Sequence, residues 1–547
     1  MLCLTQGLII LLFKPLLFSE TLNYYSNFRI FNFLITNPTL WLFTRCLFIL
    51  FSFIANFIIF KFVFSYFLNY NKNNLLIYKA PTFGLYIGND MNDNPIFVPE
   101  SGLYQNFLVT GTIGSGKTAS ALYPFTRQLI DYSANDFDSK LFLLILDVKG
   151  NYYSKVLEFA HDCNRLNDVI VIEINGKYRY NPLDKPSLLP SVLANRLKEI
   201  LLLFSPNNSE SFWIDKSEQV IESCISFCRI YNDGYVSFDE LHNLITDHSY
   251  YLSKLSIVRD YFISRKLSDV DIFNLYRSIS FLENDFYSLD DRNLHILQSE
   301  ITRITNCFIS NLDVKNTFCP SREDENFCGF HDALHSGKIV VLNMNIAKYK
   351  NLSKIIAAYL KLDFQSDVLE QLSNHSCNLI RPSVFISDEY QEYVTSSDAS
   401  FFSQSREAKC INIVATQSYT SILNSLNNQY ASKVIIQSLV NKLWFRSDDI
   451  FTIEDIQKQI GKEEREHFSR TFSENSKHSS YNPLSKKFIS SDSSYSESLN
   501  SYSQLEFKYD YHFFTQELST FHCLSFLSDG NKILPPTELQ MIPYFIK

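Results

Sequence analysis

Apolar positions along this chain fall into distinct rhythms, and each rhythm predicts a different kind of element. From Cys46 to Leu68 (CLFILFSFIANFIIFKFVFSYFL) the chain is predominantly apolar and its only charge is Lys61. About 20 such residues span a bilayer, so the run predicts a transmembrane helix, with Lys61 near enough to its end to snorkel. A weaker run, Leu8 to Phe18, carries Lys14 and Pro15. It predicts a first short span or a signal-like segment. No small-x-small cleavage site follows it, which favours two spans joined by an external loop around residues 20–42.

Beyond residue 70 the rhythm shortens. Gly84–Gly88 and Ile96–Val98, set among Asn, Pro and Gly, predict hairpin strands. Phe107–Val109, Leu141–Leu146 and Val169–Ile172 are continuous short apolar runs, the pattern of strands buried on both faces of a parallel sheet. From about 188 to 330 strand-like runs are scarce and a helical period takes over. Val220, Ile221, Cys224, Ile225 and Cys228 share one face, and Ser237-x-x-Glu240 predicts a capping box. Strands return at Lys338–Met344, Pro382–Ser387, Ile411–Thr416 and Val434–Phe445, with a long helix predicted over Leu352–Leu372. Residues 469–504 are rich in Ser, Asn and Tyr without apolar period and predict a mobile surface excursion. Strands resume over Leu505–Phe514, and the chain closes with Phe521–Phe526, Asp529-Gly530 and Pro535-Pro536.

The expected organisation is therefore an N-terminal membrane anchor over residues 1–70, followed by an α/β domain in two parts, 71–187 and 336–547. An all-α domain, 188–335, is inserted between them. At 547 residues and 46% apolar composition there is ample material for several cores. The formal charge of −9 gives no bulk attraction to nucleic acid, so any basic surface must be local. The cysteines form no C-x-x-C pair, and Cys224 and Cys228 lack zinc-ligand companions; buried reduced thiols are expected.

The chemistry is carried by Gly111-Thr112-Ile113-Gly114-Ser115-Gly116-Lys117-Thr118, which matches G-x-x-x-x-G-K-[ST] between a predicted strand and a predicted helix. In that context loop N–H groups and the helix N-terminus surround phosphates, Lys117 reaches the β- and γ-phosphates, and the Thr118 hydroxyl binds Mg²⁺. Asp388-Glu389 at the end of another strand supplies a carboxylate for Mg²⁺ and one to polarise water. Gln417, after the next strand, could sense a γ-phosphate. Arg406, on sequence physics alone, is a surface arginine. A site for ATP would place residues from about 70 onward in the cytoplasm.

Taken in order, these pieces resemble the conjugative coupling proteins of type IV secretion systems, the TraG/TraD-like ATPases. The matching pieces are the N-terminal membrane helix or helices, Gly111–Thr118, Asp147-Val148-Lys149-Gly150, Asn181-Pro182-Leu183 and the helical insertion. Gly337–Leu342, Asp388-Glu389 and Ala415-Thr416-Gln417-Ser418 complete the set. The chain has Val148 and Asn151 where that family usually shows Pro and Glu. The resemblance implies a RecA-like motor, hexameric around a channel, that binds ATP and Mg²⁺. It would drive single-stranded DNA, or a relaxase–DNA conjugate, towards the secretion channel at the inner (plasma) membrane. It implies that the Asp147-x-Lys149-Gly150 region lies beside the nucleotide, that Gln417 occupies the family's glutamine position, and that Arg406 acts as a finger in a neighbouring subunit's site. Two further readings remain open: a septal or HerA-like DNA translocase, and a non-hydrolysing receptor that docks protein substrates at the channel.

Overall fold

The computed structural model describes residues 38–74, 82–204, 211–264, 268–374, 380–475, 480–484, 487–489 and 494–546. The chain divides into two compact units, Met1–Leu76 and Ile77–Lys547. The described part of the first is one helix, α1 (Pro38–Asn74). Its Thr39–Ile58 portion is long and apolar enough to cross a membrane. Leu42, Phe43, Phe51 and Ile58 all face outwards, which suits a lipid environment rather than a protein core. The apolar run Leu8–Phe18, expected as a first span, lies outside the described residues.

The second unit is built on one sheet of eleven strands in the order β2-β1-β15-β14-β9-β3-β8-β7-β4-β6-β5. The central parallel set comprises β3 (Phe107–Thr110), β4 (Phe142–Leu146), β5 (Val169–Ile172), β6 (Ile339–Leu342), β7 (Ser383–Ser387), β8 (Cys410–Thr416) and β9 (Asn441–Phe445). All residues of β3, β4, β7, β8 and β9 are buried, as expected of strands covered on both faces. Four antiparallel strands extend one side: β14 (His522–Phe526), β15 (Thr537–Gln540) and the hairpin β1 (Gly84–Asp90) and β2 (Pro95–Pro99). Proline begins and ends β2, which suits an edge strand with no further neighbour to receive its N–H groups.

Between β5 and β6 every regular element among the described residues is helical, from α4 (Pro190–Phe204) through Leu312–Phe318 and His331–His335. These helices share a continuous apolar core with the sheet, in which Leu197, Ile221 and Ile304 join Leu144 and Val340. Capping explains several starts: Ser237, Ser268, Asp290 and Asn311 each accept a backbone N–H from the first turn. The predicted capping box is half formed. Ser237 accepts from the Glu240 N–H at 3.3 Å, but the Glu240 carboxylate accepts from Tyr231 and Tyr250 hydroxyls instead of reaching back. Cys224 and Cys228 are buried on one helix face, and burial pushes the Cys228 thiol up to about 12.

Three stretches differ from the pattern-based expectation; of Leu505–Phe514, expected as strand, only residues to Phe507 are extended, and Phe513–Glu517 is a π turn. Within Val434–Phe445, expected as strand, residues up to Ser438 close a helix (Gln429–Ser438), and only β9 is extended. The excursion expected at 469–504 is largely a regular ribbon, β10 (Lys462–Asn475) paired with β13 (Ser494–Phe507) in unbroken antiparallel register. Both faces are mostly polar, so no alternation betrays it. Cross-strand partners hold it instead: the His467 and Tyr502 rings stack 5.5 Å apart, and the Glu506 carboxylate meets His467 at 3.0 Å.

Candidate nucleotide-binding site

Parallel register does the first part of the work. Thr110 pairs with Thr416, Val414 with Ser387, and Ser387 with Leu146. The carboxyl ends of β3, β8, β7 and β4 therefore line one edge, setting Gly111, Gln417, Asp388 and Asp147 in a row. In an open α/β sheet this edge is where ligands bind.

The loop leaving β3 turns through left-handed glycines, Gly114 at φ 79° and Gly116 at φ 100°. A Cβ on Gly116 would stand 2.5 Å from the Phe521 ring, whose own N–H donates to the Ser115 carbonyl at 3.1 Å. The Thr112 N–H is held by the Arg446 carbonyl at 2.8 Å, and the tip residue Ile113 is 79% exposed. Lys117 is buried; its ammonium donates to the Gly111 and Thr112 carbonyls, the latter at 3.1 Å. Burial lowers its proton affinity, against the opposing pull of Asp388 and Glu389. The helix after the loop opens with a π turn, Thr118–Leu122, before α2 (Tyr123–Asp131), and the Tyr544 N–H donates to the Ala119 carbonyl at 2.9 Å.

The loop and the acid pair meet directly. The Thr118 hydroxyl donates to Asp388 Oδ2 at 3.0 Å. Asp388 is 3% exposed, and burial raises its carboxyl while Lys149 opposes the rise. Glu389 adopts a left-handed backbone, φ 50° and ψ 45°, a conformation that costs a non-glycine residue roughly 1–3 kcal/mol and clusters at functional sites. Its carboxylate accepts from the Lys149 ammonium, from Gln391 Nε2 at 2.6 Å and from Gln417 Nε2 at 3.2 Å. Burial pushes this carboxyl up, yet the Lys149 and Gln391 hydrogen bonds prevail and hold it below its ordinary value. Thr416 in turn fixes Gln391, donating to its Oε1 at 2.8 Å.

Asp147, expected beside a nucleotide, is buried and accepts the backbone N–H groups of Lys149, Asn151 and Tyr152 at 2.8, 3.3 and 3.2 Å. Its carboxylate thus shapes the entry into α3 (Tyr152–Asp162). Lys149 is the side chain of the Asp147–Gly150 region which reaches the acid pair, and it also lies 3.8 Å from Asp388 Oδ2. Gln391 and Arg446 were not singled out from the sequence, and Lys149 only as part of the Asp147-x-Lys149-Gly150 region. The only signals were a lysine two residues past a strand-end aspartate, an amide two residues past the paired acid, and an arginine closing β9. Arg406 is exposed and precedes β8, whose seven residues carry the chain some 20 Å to the loop-bearing edge, so it stands at the opposite edge of the sheet. Beside the loop, Thr112, Gln417, Ser418, Arg446 and Asp449 line a cleft of about 570 Å³.

A glycine-rich loop after one strand and a paired acid two strands away, with a third strand between them, define a RecA-like P-loop NTPase fold. No protein-family profile matches the chain, and no curated protein matches it. Among solved structures, the fold is that of the bacterial conjugative coupling protein TrwB. In the unbound monoclinic form of TrwB lacking its N-terminal 70 residues, the match has 12% identity and a TM-score of 0.54, covering 83% of this chain and 88% of that one. TrwB with the non-hydrolysable ATP analogue ADPNP matches at TM-score 0.54 and 12% identity over 84% of this chain and 90% of that one. TrwB with ADP and Mg²⁺ matches at 0.54 and 12% over 84% and 91%.

Proposed function

We propose that this protein is a membrane-anchored ATPase motor of a type IV secretion system, coupling ATP hydrolysis to transfer of relaxase-bound single-stranded DNA into the channel during conjugation. The Thr118–Asp388 hydrogen bond, with Glu389 beside it, is the observation that carries this reading. It supports a site where one phosphate cradle and one acid pair serve the same ligand. The residues fit ATP and Mg²⁺. The loop N–H groups from Gly111 to Thr118 and the Lys117 ammonium would bind phosphate oxygens, while the Thr118 hydroxyl and the Asp388 carboxylate would hold the metal. Mg²⁺ would supply neutralisation of charge on the phosphate oxygens. Glu389 would orient a water and accept its proton, with Gln417 and Gln391 holding the second carboxylate oxygen and Lys149 keeping the first ionised.

Arg406 lies too far along the sheet to serve its own site, which supports a role towards a neighbouring copy in a ring, as in a homo-hexamer. Such fingers contribute roughly 10³–10⁵ in rate. The apolar helix α1 supports anchoring in the inner membrane with the ATPase body in the cytoplasm. The partners under this reading are DNA, a relaxase, channel components and the membrane.

The test is ATP turnover by the full chain in lipid nanodiscs, with and without single-stranded DNA, beside Lys117→Ala and Glu389→Gln. DNA-stimulated turnover that both substitutions abolish is expected. ATP binding without turnover under any of these conditions would replace the motor with a receptor that docks substrates. Mixing Arg406→Ala with Glu389→Gln subunits should restore part of the activity that each lacks alone.

A further inference from the structure

Lys442 is the second residue of β9, in register between Leu108 of β3 and Phe526 of β14, and is 4% exposed. Outside the phosphate loop the other buried lysines among the described residues are each ion-paired: Lys140 with Asp168 at 2.7 Å, Lys185 with Asp363 at 3.1 Å, Lys361 with Asp398 at 2.6 Å. The Lys442 side chain has no hydrogen bond and no ion pair within 4 Å among the described residues, although the Asp455 charge acts on it. An ammonium mostly withdrawn from water and opening onto a cleft without a direct hydrogen-bond partner is a place where an anionic ligand is favoured.

The ammonium lines a cleft of about 380 Å³ between the helices Gln429–Ser438 and Ile450–Ile460. Tyr419, Ile436 and Phe451 give the cleft apolar walls. Its charged lining is Lys433, Lys442, Lys458 and Asp455, and Lys458 also meets Glu454 at 3.2 Å. Burial lowers the Lys442 ammonium to about 8 while the Asp455 charge pulls the other way. The amine therefore remains mostly protonated at neutral pH. Positive charge exceeds negative along this lining, and apolar surface surrounds the cation.

We propose that this cleft binds a small oxyanion carried on an apolar body, a phosphomonoester or a carboxylate, with Lys442 as its anchor. An anion supplies the missing partner of the ammonium, and the aromatic and aliphatic walls receive the body that bears it. The inference is independent of the ATPase reading, because none of the cleft's lining residues belongs to the phosphate loop or the acid pair.

Phenyl phosphate and benzoate are the probes, applied to the full chain carrying Lys117→Ala so that the phosphate loop contributes no lysine. Calorimetry should show binding of at least one probe, and adding Lys442→Met should weaken it tenfold or more. Tighter binding of phenyl phosphate would mark the natural ligand as a phosphomonoester; tighter binding of benzoate would mark it as a carboxylate. Acetic anhydride labelling of the unaltered chain, mapped by mass spectrometry, gives a readout that does not depend on the variants folding. The bound probe should slow acetylation of Lys442 at least threefold relative to the exposed Lys350. If neither probe protects Lys442, or if binding survives Lys442→Met unchanged, the proposal is wrong.

Discussion

Thr118 and Asp388, 270 residues apart in the chain, share a hydrogen bond of 3.0 Å between hydroxyl and carboxylate. A hydrogen bond to a charged group contributes roughly 1.5–3 kcal/mol, so the two residues should be energetically coupled. In a double-mutant cycle on nucleotide binding, Thr118→Val and Asp388→Asn should interact without Mg²⁺ through this bond, and more strongly with Mg²⁺ present. Additive effects in both conditions would mean that the pair is not a metal site.

Lys149 and Glu389 give a second expectation, this time in pH. Burial alone would raise the Glu389 carboxyl, and Lys149 is foremost among the groups that hold it down. Lys149→Met removes that restraint, so the acidic limb of the turnover–pH profile should move to higher pH. The Gln391 and Gln417 hydrogen bonds remain to keep the carboxylate placed. A profile that falls in height with no displacement of its acidic limb would assign Lys149 to another task.

At Gly116 two obstacles to a side chain coincide: a φ of 100° and the Phe521 ring. Gly116→Ala should abolish the thermal shift that ATP confers. Adding Phe521→Ala removes the collision but leaves the backbone requirement, so it should not restore that shift. Full rescue by Phe521→Ala would show that the ring alone dictates glycine there.

The Lys361–Asp398 pair is fully buried, and Tyr390, Gln365 and the Thr395 N–H also bond to the Asp398 carboxylate. Asp398→Ala strands a buried ammonium and should cost about 3–5 kcal/mol of stability by chemical denaturation. The pair Lys361→Met with Asp398→Leu should cost less than Asp398→Ala alone, because the stranded charge is gone. Equal losses would indicate that the surrounding hydrogen bonds, not the charge, dominate.

Glu325, between the helices Leu312–Phe318 and His331–His335, ties pH to stability. Burial raises its carboxyl to about 7, against the Asn181 N–H that donates to it at 3.0 Å. In the unfolded chain a glutamate titrates near 4.3, so between roughly 4 and 7 the folded form binds more protons and its stability falls as pH rises. Glu325→Gln should flatten that decline in a series of urea melts. A slope unchanged by the substitution would remove Glu325 from the account.

Much of this was legible in the sequence for a physical reason. Strands covered on both faces must be continuously apolar, so β3, β4, β7 and β8 announced themselves, and the residues at their ends became candidates. The ribbon from Lys462 to Phe507 escaped because a two-stranded element with polar faces leaves no period to read. The segment Val434–Ser438 was misplaced because a short apolar stretch fits helix and strand alike. Within the site, Lys149 and Gln391 act through carboxylate hydrogen bonds that depend on local backbone path, notably the left-handed turn at Glu389. No spacing rule encodes that path. Lys442 was invisible for the opposite reason: a lysine inside an apolar strand looks like an interruption until its surroundings are known.

The position of β15 between β1 and β14 has a consequence for synthesis. The phosphate loop begins at Gly111, yet Phe521 buttresses its glycine turn and the Tyr544 N–H closes on the Ala119 carbonyl just behind it. A ribosome must translate more than four hundred further residues before that cradle can set. Nascent chains halted before Phe521 would therefore carry the glycine-rich motif without the two contacts that brace it in the folded chain.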